Sequence, residues 1–228
     1  MKIDILCTSS SHPIYPLLAD WVEKYRNNHE VELLSSKNEL SDGDILFLIS
    51  CHEILDKDTT GKYKLTLVVH ASDLPKGKGW SPHVWQILEG QNKITVTLLE
   101  AAENVDSGNI LHQILITLEG HELFQEINQK LFQAELELMD YAIMNINNMK
   151  PRVQKNNGES FYRRRTPEDS ELDIDKTIAQ QFNLLRVADP KRYPAFFNYL
   201  GHRFKLTIEK IDEKATLKNS KTDGNGNE

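Results

Sequence analysis

The sequence predicts an α/β protein: a mostly parallel sheet flanked by helices, followed by a small C-terminal subdomain of one helix and a β-hairpin. Three observations lead there. Apolar, β-branched runs such as DILFLIS (44–50) and LTLVV (65–69) have the composition of strands buried on both faces. A stretch of helical spacing separates the early strands, the rhythm of right-handed βαβ crossovers. His70 and Asp106 each fall just past a predicted strand, and ligands of open α/β sheets bind outside the carboxyl ends of strands.

Composition bounds the possibilities. A chain of 228 residues allows one medium domain and a small appendage, with a full core. Apolar content of 39% and charged content of 27% fit a soluble globular protein. The formal net charge of −7 argues against general nucleic-acid binding, which depends on neutralising phosphates. Two cysteines, Cys7 and Cys51, make no disulfide framework, and each ends a predicted buried strand as a small apolar residue. No basic-plus-apolar leader and no apolar run near the ~20 residues of a membrane span occurs, so the expectation is a cytoplasmic protein.

In chain order, residues 3–7 form a strand. The turn after it, SSSHPIYP, has no Gly-x-Gly-x-x-Gly and so no dinucleotide fingerprint. Pro13 and Pro16 suit the first turn of a helix to about residue 28, whose apolar stripe is Leu17, Leu18, Trp21, Val22 and Tyr25. Strands follow at 31–34 and 44–50, then LTLVV, which delivers His70. Pro75, Gly77, Gly79 and Pro82 punctuate the next loop, and a short helix (82–89) ends at Gly90. KITVTLLE (93–100) is a strand, Val105-Asp106-Ser107-Gly108 a turn, and 111–116 continues the sheet. A long helix at 120–148 carries Leu123, Ile127, Leu131, Ala134, Leu138, Tyr141 and Ala142 at helical spacing. It packs on the sheet, or presents part of itself as a homodimer face. Pro151 breaks it. The segment 152–175 is polar, 176–187 reads as a helix with Ile178, Phe182 and Leu185 on its apolar face, and a hairpin turns at Gly201-His202 before 204–209. From 213 the tail is polar and reads as disordered. The expected divisions are therefore 1–150, 151–212 and 213–228.

The stretch 65–110 carries more than fold. His70-x-Ser72-x-Leu74-Pro75, then Gly79, Pro82, Trp85 and Gly90, then Asp106-x-Gly108, resembles the formyltransferases that use 10-formyltetrahydrofolate. The resemblance implies a Rossmann-like catalytic domain, with His70 and Asp106 as catalytic residues. In such a reaction an amine attacks the formyl carbon, an imidazole moves the proton, and a carboxylate orients the ring. The chain departs from the family at one position. The family places a catalytic Asn two residues before the His, and here that residue is Val68. The chemistry then proceeds without the amide, or another donor replaces it, or the chain binds without turnover.

The resemblance also implies a folate slot at the loop Ser50-Cys51-His52-Glu53-Ile54-Leu55, with Ile54 and Leu55 lining it and Gly108 beside it. His52 reads either as a surface or capping histidine or as a polar ligand contact standing in for the Asn. Gly77 and Gly79 allow close approach of a ligand. Lys76 and Lys78 read as solvated lysines or as contacts to a phosphate or the folate tail. Arg163, Arg164 and Arg165, beside Phe161 and Tyr162, read as a solvated linker or as guanidinium forks for a nucleotide diphosphate. The passage around Tyr193-Pro194-Ala195-Phe196 is similar to a family segment that lacks only its Gly here, and Tyr193 is a further sugar-nucleotide candidate.

A short chain with those segments looks most like the sugar N-formyltransferases. The expected reaction is formyl transfer to the amine of a UDP- or dTDP-linked 4-amino-4,6-dideoxy sugar, for surface glycans such as the O-antigen of lipopolysaccharide. The alternatives are a formyltransferase on another amine and a non-catalytic folate- or nucleotide-binding homologue.

Overall fold

The computed structural model describes residues 1–155 and 157–211, so the tail from 213 lies outside the described residues. The chain divides into two compact units, Met1–Thr166 and Pro167–Glu228. Residues 151–166, set apart by composition, lie in the first.

The first unit contains β1 (Lys2–Leu6), α1 (Tyr15–Tyr25), β2 (Glu30–Leu34), β3 (Gly43–Leu48), α2 (Lys57–Thr60), β4 (Tyr63–His70), β5 (Lys78–Gly79), α3 (Pro82–Leu88), β6 (Lys93–Glu100), β7 (Ile110–Thr117), α4 (Phe124–Asn145) and β8 (Phe161–Tyr162). The main sheet has the order β2-β1-β3-β4-β6-β7. The first four strands are parallel, in registers such as Ile3↔Ile45 and Ile45↔Leu65. Consecutive residues of β1 and β3 (Ile5, Leu6; Ile45, Leu46, Phe47) are fully buried, as strands covered on both faces must be. Both cysteines are free, Cys7 buried and Cys51 half-buried. Among the described residues, no helix is long and apolar enough to cross a membrane.

The last two strands, β6 and β7, run antiparallel to their neighbours. This changes how Asp106 reaches the site. Glu100, at the end of β6, pairs with Leu67 in the middle of β4, not with the edge at His70. Position past a strand end is therefore not what places Asp106. The loop 101–109 turns back instead, anchored by Ala101 N–H on Thr66 O and Glu100 N–H on Asn109 O. It passes so close to β6 that a Cβ on Gly108 would lie 1.8 Å from Glu100 O.

Helix α4 is shorter than 120–148. Glu126 caps its start by accepting the Leu123 N–H, and Glu122 takes the N–H groups of Glu119 and Gly120. The helix packs on the sheet and on α1, where Asp140 accepts from the Trp21 indole and the Lys24 ammonium.

The second unit differs more from expectation. In place of a helix over 176–187 there is a 3₁₀ turn (Ala179–Gln181) and a five-residue α5 (Phe182–Arg186), and Ile178 is exposed. The Gln181 amide bonds Asp173 and Lys176, and Thr177 bonds Gln180. These local side-chain bonds compete with the helical ladder. The hairpin β9 (Ala195–Tyr199) and β10 (His202–Leu206) turns at Leu200-Gly201, one residue earlier than expected. Both turn residues have positive φ (49° and 79°), the combination a two-residue I′ turn requires. Its core is Leu172, Leu185 and Ala195, with Phe182, Phe197 and Leu206 packed against them.

Candidate active site

Strand β4 ends by burying the His70 imidazole. Its Nε2 lies 2.8 Å from Gly77 O. A carbonyl only accepts, so the Nε2 proton belongs there. Nδ1 is then the nitrogen with the lone pair, and it lies 3.5 Å from Asp106 Oδ1, with both side chains buried. That spacing is too long for a firm hydrogen bond and suits an ion pair once Nδ1 is protonated. The other carboxylate oxygen, Asp106 Oδ2, accepts the Gly79 N–H at 2.9 Å.

Both halves of this pair are held by one segment, 152–162. Asp106 has φ +53°, a left-handed conformation that costs a non-glycine residue about 1 kcal/mol. The Gln154 amide bridges this turn, with Nε2 donating to Asp106 O at 2.9 Å and Gly108 O at 2.8 Å. A few residues on, Ser160 Oγ accepts the Gly77 N–H at 2.9 Å, and β8 pairs with β5. The pairing is close: a Cβ on Gly79 would lie 2.4 Å from Tyr162 O, and Gly77 and Gly79 both have positive φ. Lys78 turns inward to Glu159, at 2.5 Å, and Lys76 is exposed.

Tryptophans organise the rim. Arg164 lies over the Trp80 ring at 4.9 Å, and the His52 ring meets the same indole at 5.1 Å. Arg163 lies over Trp85, whose indole donates to Arg163 O. Arg165 is buried. Arg163 and Arg164 are thus exposed and stacked on tryptophans, and Arg165 is interior. Ile54 is 78% exposed, while Leu55 packs against the cluster of Leu6, Leu34, Leu46 and Tyr63. Val68 packs with Leu74, Leu99 and Ile110, so an apolar contact occupies the position where the family has its amide. Tyr193 lies in the second unit, where its carbonyl accepts from Ser170 Oγ.

Four residues near the site escaped the sequence reading. Gln154 is one. His83 is the second residue of α3; burial, and then His12, Arg165 and His70, push its imidazole down to about 3. His12, in the turn after β1, lies 3.3 Å from Ser50 Oγ and against the Phe132 ring. Glu135 is a buried carboxyl on α4. The signal available for His83 was its place inside Ser-Pro-x-x-Trp, and for His12 its place before Pro13 at a helix start.

Known proteins share this fold. Residues 12–143, more than half the chain, match the family model described as formyl transferase. A methionyl-tRNA formyltransferase from Clostridium thermocellum superposes with a TM-score of 0.78 at 19% identity, covering 93% of this chain and 94% of that one. HypX from Aquifex aeolicus, solved with tetrahydrofolic acid, gives 0.76 at 21% identity over 91% of this chain and 37% of its own. A 4-N formyltransferase from Francisella tularensis gives 0.70 at 19% identity over 92% and 98%. The formyl donor of this family is 10-formyltetrahydrofolate. With the motif, the fold and the family model in agreement, the chain belongs to the formyltransferase family.

Proposed function

We propose that this enzyme transfers the formyl group of 10-formyltetrahydrofolate to the amine of a nucleotide-linked 4-amino-4,6-dideoxy sugar carried on UDP or dTDP. The observation that carries the chemistry is the buried His70–Asp106 pair, with the lone pair of Nδ1 facing the carboxylate. Bound folate supplies the formyl group. His70 Nδ1 takes the proton of the attacking amine, Asp106 holds the resulting imidazolium, and the ring returns the proton to the departing nitrogen. Val68 brings no donor for the oxyanion, so that charge falls to the His70 imidazolium itself. The residues present fit a flat heterocycle: exposed Ile54 and half-exposed Trp80 give an apolar rim at the loop after β3. Arg163 and Arg164, layered on tryptophans, suit a diphosphate and its base. Sugar N-formyltransferases are among the structures this chain resembles, which supports the choice of acceptor.

A second reading, an acceptor other than a sugar, is favoured by the methionyl-tRNA formyltransferase that this chain covers over 94% of its length, since chain length does not separate the two classes. One experiment decides. The enzyme is mixed with 10-formyltetrahydrofolate and a panel of UDP- and dTDP-amino sugars, free amino sugars and aminoacyl acceptors, and products are read by mass spectrometry. One added formyl group on a nucleotide sugar, reduced about 10²-fold or more in His70→Ala and Asp106→Ala, is the expected result. Formylation of another acceptor alone replaces the sugar reading. Folate binding with no product points to the non-catalytic alternative raised by Val68.

A further inference from the structure

Ten residues of α4 face inward: eight are apolar, Asn128 carries an amide, and Glu135 is the charged exception, 9% exposed. Its carboxyl makes no hydrogen bond or ion pair among the described residues, and burial pushes it up to about 8. A carboxyl buried without a partner destabilises the free protein, and an apolar side chain of the same size would not.

Its location argues for a ligand. The fully buried Cys7 thiol, just past β1, is pushed up by burial and further by the charge of Glu135. One helical turn earlier, Phe132 supports the ring of His12, at 5.9 Å, and His12 reaches Ser50 just past β3. His12 and His70 thus stand at the carboxyl edge of the parallel strands, where α/β sheets take ligands, and Glu135 lies on the buried face of α4 one turn from the Phe132 that meets His12. Only β3 separates β1 from β4, so the ends of those two strands are ~10 Å apart, roughly the span of a sugar ring with its substituents.

We propose that Glu135 recognises the acceptor: with His12 it takes a ring hydroxyl of the amino sugar, on the side of the site away from the reacting nitrogen. This rests on the amino-sugar reading above. A hydroxyl both donates and accepts, so it satisfies a buried carboxyl whether or not the carboxyl holds its proton. In the complex that contact satisfies a carboxyl whose burial costs stability in the free protein.

The test measures acceptor KM and kcat, tetrahydrofolate Kd and ligand-free melting temperature for the wild type, Glu135→Gln and Glu135→Met. Expected for Glu135→Met are a KM raised about tenfold or more, a kcat and a folate Kd nearly unchanged, and a higher melting temperature. Glu135→Gln, which keeps both kinds of hydrogen bond, restores most of the KM. Against a deoxy acceptor lacking the recognised hydroxyl, wild type and Glu135→Met become equal. An unchanged KM in Glu135→Met, an equal loss of folate affinity, or failure of that variant to fold overturns the proposal. A wild type that formylates no amino sugar overturns the acceptor reading as well; wild-type turnover with an indifferent Glu135→Met overturns this inference alone.

Discussion

Two buried glutamates stand at the two ends of one stretch of chain, and the molecule treats them in opposite ways. Glu122, just before α4, accepts the N–H groups of Glu119 and Gly120 and the Lys130 ammonium at 2.6 Å. Burial alone would push it up, but these donors more than offset that and hold it at about 2. Glu135, in the middle of the same helix, has burial and nothing against it, and lies at about 8. The difference separates two uses of a buried charge. Where the protein supplies every donor, the carboxylate fixes structure, here the entry of α4. Where it supplies none, the group is left for something that arrives.

The largest expected effect tests the first half of that contrast. Glu122→Ala strips two backbone N–H groups and Lys130 of their acceptor, a loss of about 3 kcal/mol. At 2–4 °C per kcal/mol for a protein of this size, melting should fall by roughly 6–12 °C, read by calorimetry. A loss within 2 °C would mean that water replaces Glu122 at no cost.

A smaller effect tests the contrast by pH. Glu122 is depressed in the folded state, so its contribution is present above pH 4.5 and disappears as pH falls toward 2. His83 is also depressed, so the unfolded chain takes up its proton first, and stability is lost as pH falls from 6.5 toward 3. Glu135 is raised, so the folded state keeps a proton the unfolded chain has lost, and stability declines as pH rises from 4.5 to 8. Between pH 6.5 and 8 only Glu135 of the three acts, with about 2 kcal/mol at stake. Glu135→Gln should flatten urea-midpoint profiles in that window and leave the acid limb unchanged. A wild-type profile already flat from 6.5 to 8 would put the Glu135 carboxyl in contact with water.

These residues also mark what could be read from sequence. The His70–Asp106 stretch was legible because its chemistry and its breakers sit close together, and the parallel strands because they are apolar on successive positions. The reversal of β6 was not legible, since KITVTLLE has the same pattern in either direction. Glu135 was hidden by its surroundings: in QAELELMD, Glu135 and Glu137 look alike, and only the packing of α4 buries the first and exposes the second. The helix expected over 176–187 failed for the converse reason, because the Gln180 and Gln181 side chains take local backbone partners, the Thr177 N–H and the Asp173 carbonyl, in place of helix continuation.

Gln154 falls between the two glutamates and gives the smallest stability change but a sharp functional one. Its Nε2 makes two bonds, to Asp106 O and Gly108 O, while its buried Oε1 has no partner. Gln154→Leu therefore loses two donors but also removes an orphaned acceptor, a net cost of about 1 kcal/mol. The consequence for turnover is larger than that figure suggests. The bridge holds Asp106 at its left-handed φ, and with it the 3.5 Å approach of Oδ1 to His70. Relaxation of the turn should lower kcat about tenfold with KM unchanged, because the carboxylate serves the imidazolium and not the bound acceptor. Gln154 acts through Asp106, so the two substitutions should not add. In an Asp106→Asn background, Gln154→Leu is expected to change kcat less than twofold. Full additivity in that cycle would show that Gln154 supports the site by some route other than the turn it bridges.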